Sequence, residues 1–383
     1  MNWLETYVKG DRLIWLVVIL LSLFSVLAVY SSTGTLAYRY QAGNTEYYLF
    51  KHFIILVAGF LIMYLAHLVR YTYYSRIAQL GLLVAIPLLI FTLLSGTNIN
   101  EASRWLTLPI VNLSFQTSDF AKLALLLFVA RILSKKQENI KDFKSAFVPI
   151  ILPIIIVCGL ILPANLSTAA VLFATCIFLM FIGRINLKYI GILLGAGLLM
   201  LSIFVTIMLQ MEDTGRVGTW KKRIENFATG NEEGNYQTQQ AKIAVATGGL
   251  FGKGPGNSSQ RNFLPHPYSD FIFAIVIEEY GMFGGAIIVF LYIVLFYRAI
   301  IIVKKNPRAF ATLLAIGCSF SLVFQAMINM AVAVNLFPVT GQPLPLVSMG
   351  GTSIWFTSIA IGIILSVSRE SETEPVGKEL SFA

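Results

Sequence analysis

Few of the 383 residues carry a carboxylate in or at the head of an apolar stretch, and those that do form two clusters. The first is the run Ser-Asp-Phe-Ile-Phe-Ala-Ile-Val-Ile-Glu-Glu, with Asp270 at its head and Glu278 and Glu279 two turns further on. A carboxylate in the position of Asp270 has two readings. It caps the helix that follows, accepting backbone N–H groups at the positive end of the dipole, or it is a functional group, as an ionisable side chain at membrane depth is by default a candidate to be. On a continuous helix starting at a water boundary, Glu278 would lie about 12 Å deeper than Asp270 and Glu279 would point to another side. Two adjacent acids facing different ways cannot both face lipid, so at least one meets a polar cavity or a cation, in a helix–helix pairing or a substrate contact. The second cluster is Gln116, Asp119 and Lys122, whose spacing makes one polar stripe on an otherwise apolar helix. An Asp119–Lys122 ion pair would offset part of the cost of burial. Alternatively, Lys122 is a fixed cation that receives a phosphate or sugar oxygen.

The elements that must position these groups are set by composition. The chain is 57% hydrophobic and 12% charged, with a mean hydropathy of +0.76. Apolar runs recur at about 13–31, 50–69, 77–95, 117–133, 147–163, 166–183, 189–210, 271–297, 309–333 and 348–368. Each is long enough to cross about 30 Å of hydrocarbon. The expected fold is therefore an all-α polytopic membrane protein of about ten transmembrane helices. An even number of spans puts both termini on one side, and Lys9, Arg12, Arg70, Arg76, Arg131, Lys135, Arg298, Lys304, Lys305, Arg308 and Arg369 gather there. The short loops opposite carry only Arg39, Lys51 and Arg104, so the positive-inside rule makes both termini cytoplasmic. Residues 1–368 read as a single transmembrane domain and 369–383 as a short, disordered cytoplasmic tail. The net charge of +9 follows from this topology and gives no support to nucleic-acid binding. Cys158, Cys176 and Cys318 all lie in apolar runs and imply no disulfide framework. The first run follows Lys9 and Arg12 but exceeds the roughly 7–15 residues of a signal-peptide core, so it reads as an uncleaved span.

Between the seventh and eighth spans lies a long loop, about 211–269, with room for chemistry in water. Within it Val217, Trp220, Ile224 and Phe227 recur at helical spacing among Lys221, Lys222 and Arg223, which suits a helix lying in the headgroup layer. It would serve as an anchor or as a holder of pyrophosphate head groups. After the ninth span, which still contains Gln325 and Asn329, come Pro338, Gly341, Pro343, Pro345, Gly350 and Gly351. Backbone broken this densely at membrane depth is tolerated where protein or a watery cavity covers it, so the segment should line a cavity. No Walker loop, dinucleotide fingerprint, HExxH or clustered metal-ligand spacing is present, and His52, His67 and His266 are scattered. A glycosyl transfer here would need a donor that arrives activated, and a lipid pyrophosphate meets that need. A carrier such as a lipid flippase is the rival class, since ten helices, a polar stripe and a broken hairpin also describe alternating access. A purely scaffolding subunit is a third.

Three segments carry a family resemblance. LFGKGPGNSSQRNFLPHPYSDFIFAIVIEEYG resembles the Gly-rich turn, Leu-Pro, Asp-Phe-Ile-Phe and Glu-Glu-x-Gly signature of the SEDS family, the FtsW and RodA kind of peptidoglycan glycosyltransferase. NLFPVTGQPLPLVSMGGTS resembles the family's Pro-rich final loop, and RWLTLPIVNLSFQTSDFAK its Arg-Trp…Gln-Pro-Ser-Glu…Lys segment. Around NMAVAV and PLVSMGGTS the chain is more similar to the FtsW branch than to RodA. The resemblance implies polymerisation of lipid II into glycan strands at the outer face of the inner membrane, for septal synthesis, with RodA-type elongation as the alternative. It implies that Asp270 is catalytic and that Lys122, Asp119, Arg104, Gln116, Lys253, Glu278 and Ser348 contact substrate. It further implies a class B penicillin-binding protein and other divisome membrane proteins as partners. No metal site or certain cofactor is marked; a divalent cation, Mg or Mn, is the one such group the pyrophosphate chemistry would admit. Thr117 and Asp119 stand where the family has Pro and Glu, Asn165 and Ser167 replace an Asp and a Gly, and Pro267-Tyr268-Ser269 replaces Ala-His-Thr. The change at Asn165 argues against a charged role there.

Overall fold

A backbone in hydrocarbon must satisfy its own N–H and C=O groups, so the apolar runs become helices. The computed structural model of the chain describes residues 9–95, 97–99, 102–108, 113–210, 218, 221, 225 and 236–373. In chain order its helices are α1 (Arg12–Ser32), α2 (Gly34–Tyr40), α3 (Thr45–Leu68), α4 (Tyr71–Ser95), α5 (Thr117–Lys135), α6 (Val148–Ile161), α7 (Leu166–Ile182), α8 (Leu187–Gln210), α9 (Tyr236–Gly248), α10 (Ile272–Lys305), α11 (Ala309–Ala333) and α12 (Gly351–Thr373). Among the described residues, eight helices are long and apolar enough to cross a bilayer, and α7 is a shorter apolar one. Adding α5, whose Asp119, Lys122 and Arg131 lower its hydropathy, accounts for the ten expected spans. The proposed headgroup-layer helix around Val217–Phe227 lies almost wholly outside the described residues.

Both described ends of the chain meet at one end of the bundle. Asp11 caps α1 through Leu13 N at 3.0 Å and Ile14 N at 3.2 Å, and accepts from Arg298 Nε near the close of α10 at 2.8 Å. Arg70 pairs with Glu370 at 3.6 Å. This is the basic end. α12 runs on to Thr373, so helix continues past the expected boundary at residue 368.

At the opposite end, α4 and α5 are joined by a three-stranded antiparallel meander, β1 (Thr97–Ile99), β2 (Ala102–Leu108) and β3 (Leu113–Gln116). Trp105 lies between Thr97 and Gln116 in the register. The sequence reading had no strands; this small cap adds to a helical fold without changing its class.

The largest departure from expectation is in α10. Gly281 has φ 70° and ψ −173°, a conformation essentially restricted to glycine. In a straight helix Phe273 and Gly285 would be about 18 Å apart along the axis. Instead, a Cβ placed on Gly285 would stand 3.4 Å from the Phe273 ring and 3.0 Å from Ile277 Cγ1. The first half, 272–280, therefore folds back along the second, 282–305. Every residue from Ile272 to Glu279 is buried, which places this half-helix inside the bundle rather than at its edge. The depth order expected for the acids is reversed. Gly281 tops the second half, some 36 Å above the basic end at about 1.5 Å per residue, and Asp270 returns to roughly 20–25 Å.

Candidate active site

Asp270 immediately precedes the folded-back half-helix and does not cap it: the N-cap is Phe271, without a side-chain cap bond. Its half-buried carboxylate is left for other work. Ser269 Oγ donates to Asp270 Oδ1 at 2.8 Å. Asn329, inside α11, donates through Nδ2 to the Asp270 carbonyl at 2.9 Å and to the Gln342 carbonyl at 2.7 Å. One side chain thus fixes both the catalytic candidate and the Pro-rich connection. Gly341 has φ +65°, and a Cβ there would stand 3.6 Å from Asp270 Oδ2. The glycine both permits the turn and keeps space open before the carboxylate.

The connection 334–350 lacks regular structure, and side chains satisfy its carbonyls, as burial demands. Gln325 Nε2 donates to the Pro343 carbonyl at 2.9 Å, the Tyr292 hydroxyl to Pro345, and Ser25 Oγ to Val347 at 2.8 Å. Ser25 has one proton and gives it to Val347, so the His52 Nε2 that lies 2.7 Å from its oxygen must be the donor. Ser348 is a staple: its Oγ donates to the Ser269 carbonyl at 2.6 Å and accepts from Leu344 N at 2.7 Å. Met349 N donates to the Tyr268 carbonyl at 2.8 Å. The bonds to the Ser269 and Tyr268 carbonyls tie the backbone just before Asp270 to the connection, while Asn329 holds the carbonyl of Asp270 itself.

The second cluster meets the same layer. Lys122 Nζ is 2.8 Å from Asp119 Oδ1 and 3.3 Å from Gln325 Oε1. A chain of polar groups therefore runs from Lys122 through Gln325, the Pro343–Gln342 backbone and Asn329 to Asp270. Asp119 and Lys122 line a cavity between α5, α11 and α12 together with Ser321, Gln325, Ser353 and Thr357. Asp119 Oδ2 is buried there with no hydrogen-bond partner among the described residues. Asp270 does not line that cavity; the carboxylate that can accept a proton and the cation that can meet an anion are joined by the chain of polar groups through Gln325 and Asn329.

The remaining predicted residues are placed otherwise. Gln116 precedes α5 rather than lying on it, and bonds Ser118 through its side chain and Thr352 through its amide, at 2.9 and 3.2 Å. Glu278 and Lys253 pair at 2.6 Å near the Gly281 turn, with Glu278 fully buried. Arg104 lies on β2; its side chain is outside the described set. Asn165 caps α7, accepting from Thr168 N at 3.2 Å, in keeping with an uncharged role. Ser25, His52 and Gln342 were not singled out from sequence, although each is a polar residue in or beside an apolar run. Among the described residues no three His, Cys, Asp or Glu side chains gather in a metal-binding group.

Comparison with known proteins agrees over nearly the whole length. The family model described as "Cell cycle protein", covering FtsW, RodA and SpoVE, matches residues 11–373. Stage V sporulation protein E of Bacillus subtilis is 34% identical over 369 residues, covering 94% of this chain and 97% of that one. A probable peptidoglycan glycosyltransferase FtsW of Trichlorobacter lovleyi is 31% identical over 377 residues, covering 96% of each. Among solved structures, a chain of a peptidoglycan synthase complex superposes with a TM-score of 0.77 at 23% identity, covering 97% of this chain and all of that one. The rod shape-determining protein RodA of Thermus thermophilus gives 0.69 at 24%, covering 97% and 99%. With ten spans, the three sequence signatures and this full-length match in hand, the chain belongs to the FtsW/RodA/SpoVE family.

Proposed function

We propose that this protein is a peptidoglycan glycosyltransferase that polymerises lipid II, with Asp270 as general base. The observation that carries the reading is the half-buried carboxylate of Asp270, on a backbone fixed by Asn329 at its own carbonyl and by Ser348 at the Ser269 carbonyl, and joined through polar groups to Lys122. The acceptor's 4-hydroxyl gives its proton to the carboxylate as its oxygen attacks the donor's anomeric carbon. The bond from that carbon to the pyrophosphate breaks, and undecaprenyl pyrophosphate leaves with inversion. Lys122 meets the negative charge that develops on the leaving group. Arg104 would add to this. A divalent cation, when bound, would be held chiefly by the pyrophosphate and one carboxylate, as Mg commonly is, and would supply further charge neutralisation.

Positive residues collect at the end where both described ends of the chain meet, which supports that end facing the cytoplasm of the inner membrane and the site opening toward the periplasm. The FtsW naming of several relatives fits a septal role. The likeness to a chain of a peptidoglycan synthase complex supports a penicillin-binding protein as partner, alongside other divisome proteins. A half-helix ending at mid-depth is also a transporter device, so lipid flipping is the reading to test against. Purified protein in liposomes with labelled lipid II decides between them: glycan ladders on a gel support polymerisation, and scrambling of the label without polymer overturns it.

A further inference from the structure

A helix that reverses inside a membrane leaves carbonyls and amides unpaired, and each must find a partner. At Gly281 the partners come from one short stretch after α9. Lys253 N donates to the Glu278 carbonyl and Gly254 N to the Glu279 carbonyl, both at 2.9 Å, while Met282 N and Phe283 N donate to Gly249 and Leu250 at 2.9 and 3.3 Å. The loop 248–254 thus gives partners to four backbone groups, the two ends of each of the two helical bonds (Met282 N to Glu278 O and Phe283 N to Glu279 O) that the break removes. The fit admits no side chain, since a Cβ on Gly248 or Gly252 would overlap the carbonyls of Ile277 or Glu279.

The carboxylate of Glu278 locks this splice. It accepts from Lys253 Nζ at 2.6 Å, Ser259 Oγ at 2.9 Å, Ser259 N and Gln260 N at 3.2 Å, Thr247 Oγ1 at 3.4 Å, and the Ser258 hydroxyl. Glu279 accepts from the Ser31 hydroxyl of α1 and from Ser258 N at 3.3 Å, and Arg261 reaches Ser31 at 3.1 Å. Glu278 is 0% exposed and Glu279 is 1% exposed. With its oxygens so engaged, Glu278 has no face left for a substrate.

We propose that Glu278 and Lys253 are positioning residues: they clasp the loop after α9 to the turn of the α10 hairpin and so fix the half-helix whose other end presents Asp270. This rests on Asp270 being the reacting carboxylate. The half-helix spans barely nine residues between clasp and carboxylate, so slack at Gly281 becomes displacement at Asp270. A shift of about 1 Å there is enough to lower turnover about 100-fold.

The test pairs Glu278→Gln with the milder Lys253→Met, which leaves the serine and backbone donors around Glu278 in place. Amide exchange and lipid II polymerisation are measured on the same purified full-length protein, with Lys253→Arg as conservative control. Both variants should speed exchange of 271–281 at least about tenfold while α11 and α12 exchange as in wild type, because local opening is confined to the unit that loses its contacts. kcat should fall about 10- to 100-fold with KM unchanged, and Lys253→Arg should recover most of it. Three results overturn the proposal: polymerisation lost with wild-type exchange in 271–281, faster exchange with unchanged polymerisation, or faster exchange across the whole bundle. Absence of polymer from the wild type itself would instead refute the functional reading, and exchange would still decide whether Glu278 holds the half-helix.

Discussion

Replacing Lys122 by Met separates a structural ion pair from a working cation. Its Nζ lies 2.8 Å from Asp119 Oδ1, with the two side chains 16% and 6% exposed, and Asp119 Oδ2 already lacks a partner among the described residues. Removing the cation leaves a buried carboxylate without its counter-charge. Breaking a buried pair from one side costs about 3–5 kcal/mol, and the residual exposure of Lys122 brings the expectation to about 2–4 kcal/mol. Lys122→Met/Asp119→Asn removes both charges and should recover most of that loss, a coupling of about 2–3 kcal/mol. Unfolding in mixed micelles titrated with denaturing detergent measures these differences, and a gel of lipid II products measures activity. The double variant should be stable yet polymerise about 100-fold more slowly, since the leaving pyrophosphate has lost its fixed cation. Wild-type stability of Lys122→Met would refute the burial argument; wild-type polymerisation by the double variant would refute the catalytic one.

Three further outcomes follow from the same geometry. Gly281→Ala should cost about 1–3 kcal/mol through its backbone conformation alone, and its Cβ would also overlap the Leu250 carbonyl and force the hairpin apart; little monodisperse protein should emerge from size-exclusion chromatography. Asn329→Leu removes two donors and strands the Asp270 and Gln342 carbonyls, so stability should fall by about 2–4 kcal/mol and polymerisation by more than tenfold in the gel assay. Asp11→Ala removes the cap of α1 and the partner of Arg298 at the basic end. It should lower stability by about 2–4 kcal/mol while the rate per folded molecule, from active-site titration, stays at wild type.

The spans were legible because hydrocarbon imposes a length and a composition on each crossing, and even α5 was readable through its Asp119, Lys122 and Arg131. The polar stripe was legible too, since an i, i+3 pair on a helix must meet. What periodicity could not show was the reversal at Gly281: the run 271–297 is apolar on every side whether it crosses once or folds back. Two signals pointed there. An apolar helix reaching Lys305 is far longer than one crossing requires, and Gly281, Gly284 and Gly285 sit together where two helix segments must approach closely. Two adjacent acids on one buried helix marked the same place, but only the packing of Lys253 and residues 258–260 around Glu278, and of Ser31 and Ser258 around Glu279, explains how both are held. The meander β1–β3 escaped notice because β1 and β3 are only three and four residues long, which leaves β2 without a legible partner in the sequence. The roles of Ser348 and Glu278 were likewise invisible to motif matching, which finds a residue without its hydrogen-bond partners.

The central claim is that the carboxylate of Asp270 takes the proton in glycosyl transfer. Its most direct test is the single-turnover rate of glycan bond formation by purified Asp270→Asn relative to wild type, with lipid II affinity measured on the same samples. Loss of a general base predicts a fall of about 10²- to 10⁴-fold at unchanged affinity. A rate within tenfold of wild type would contradict the account.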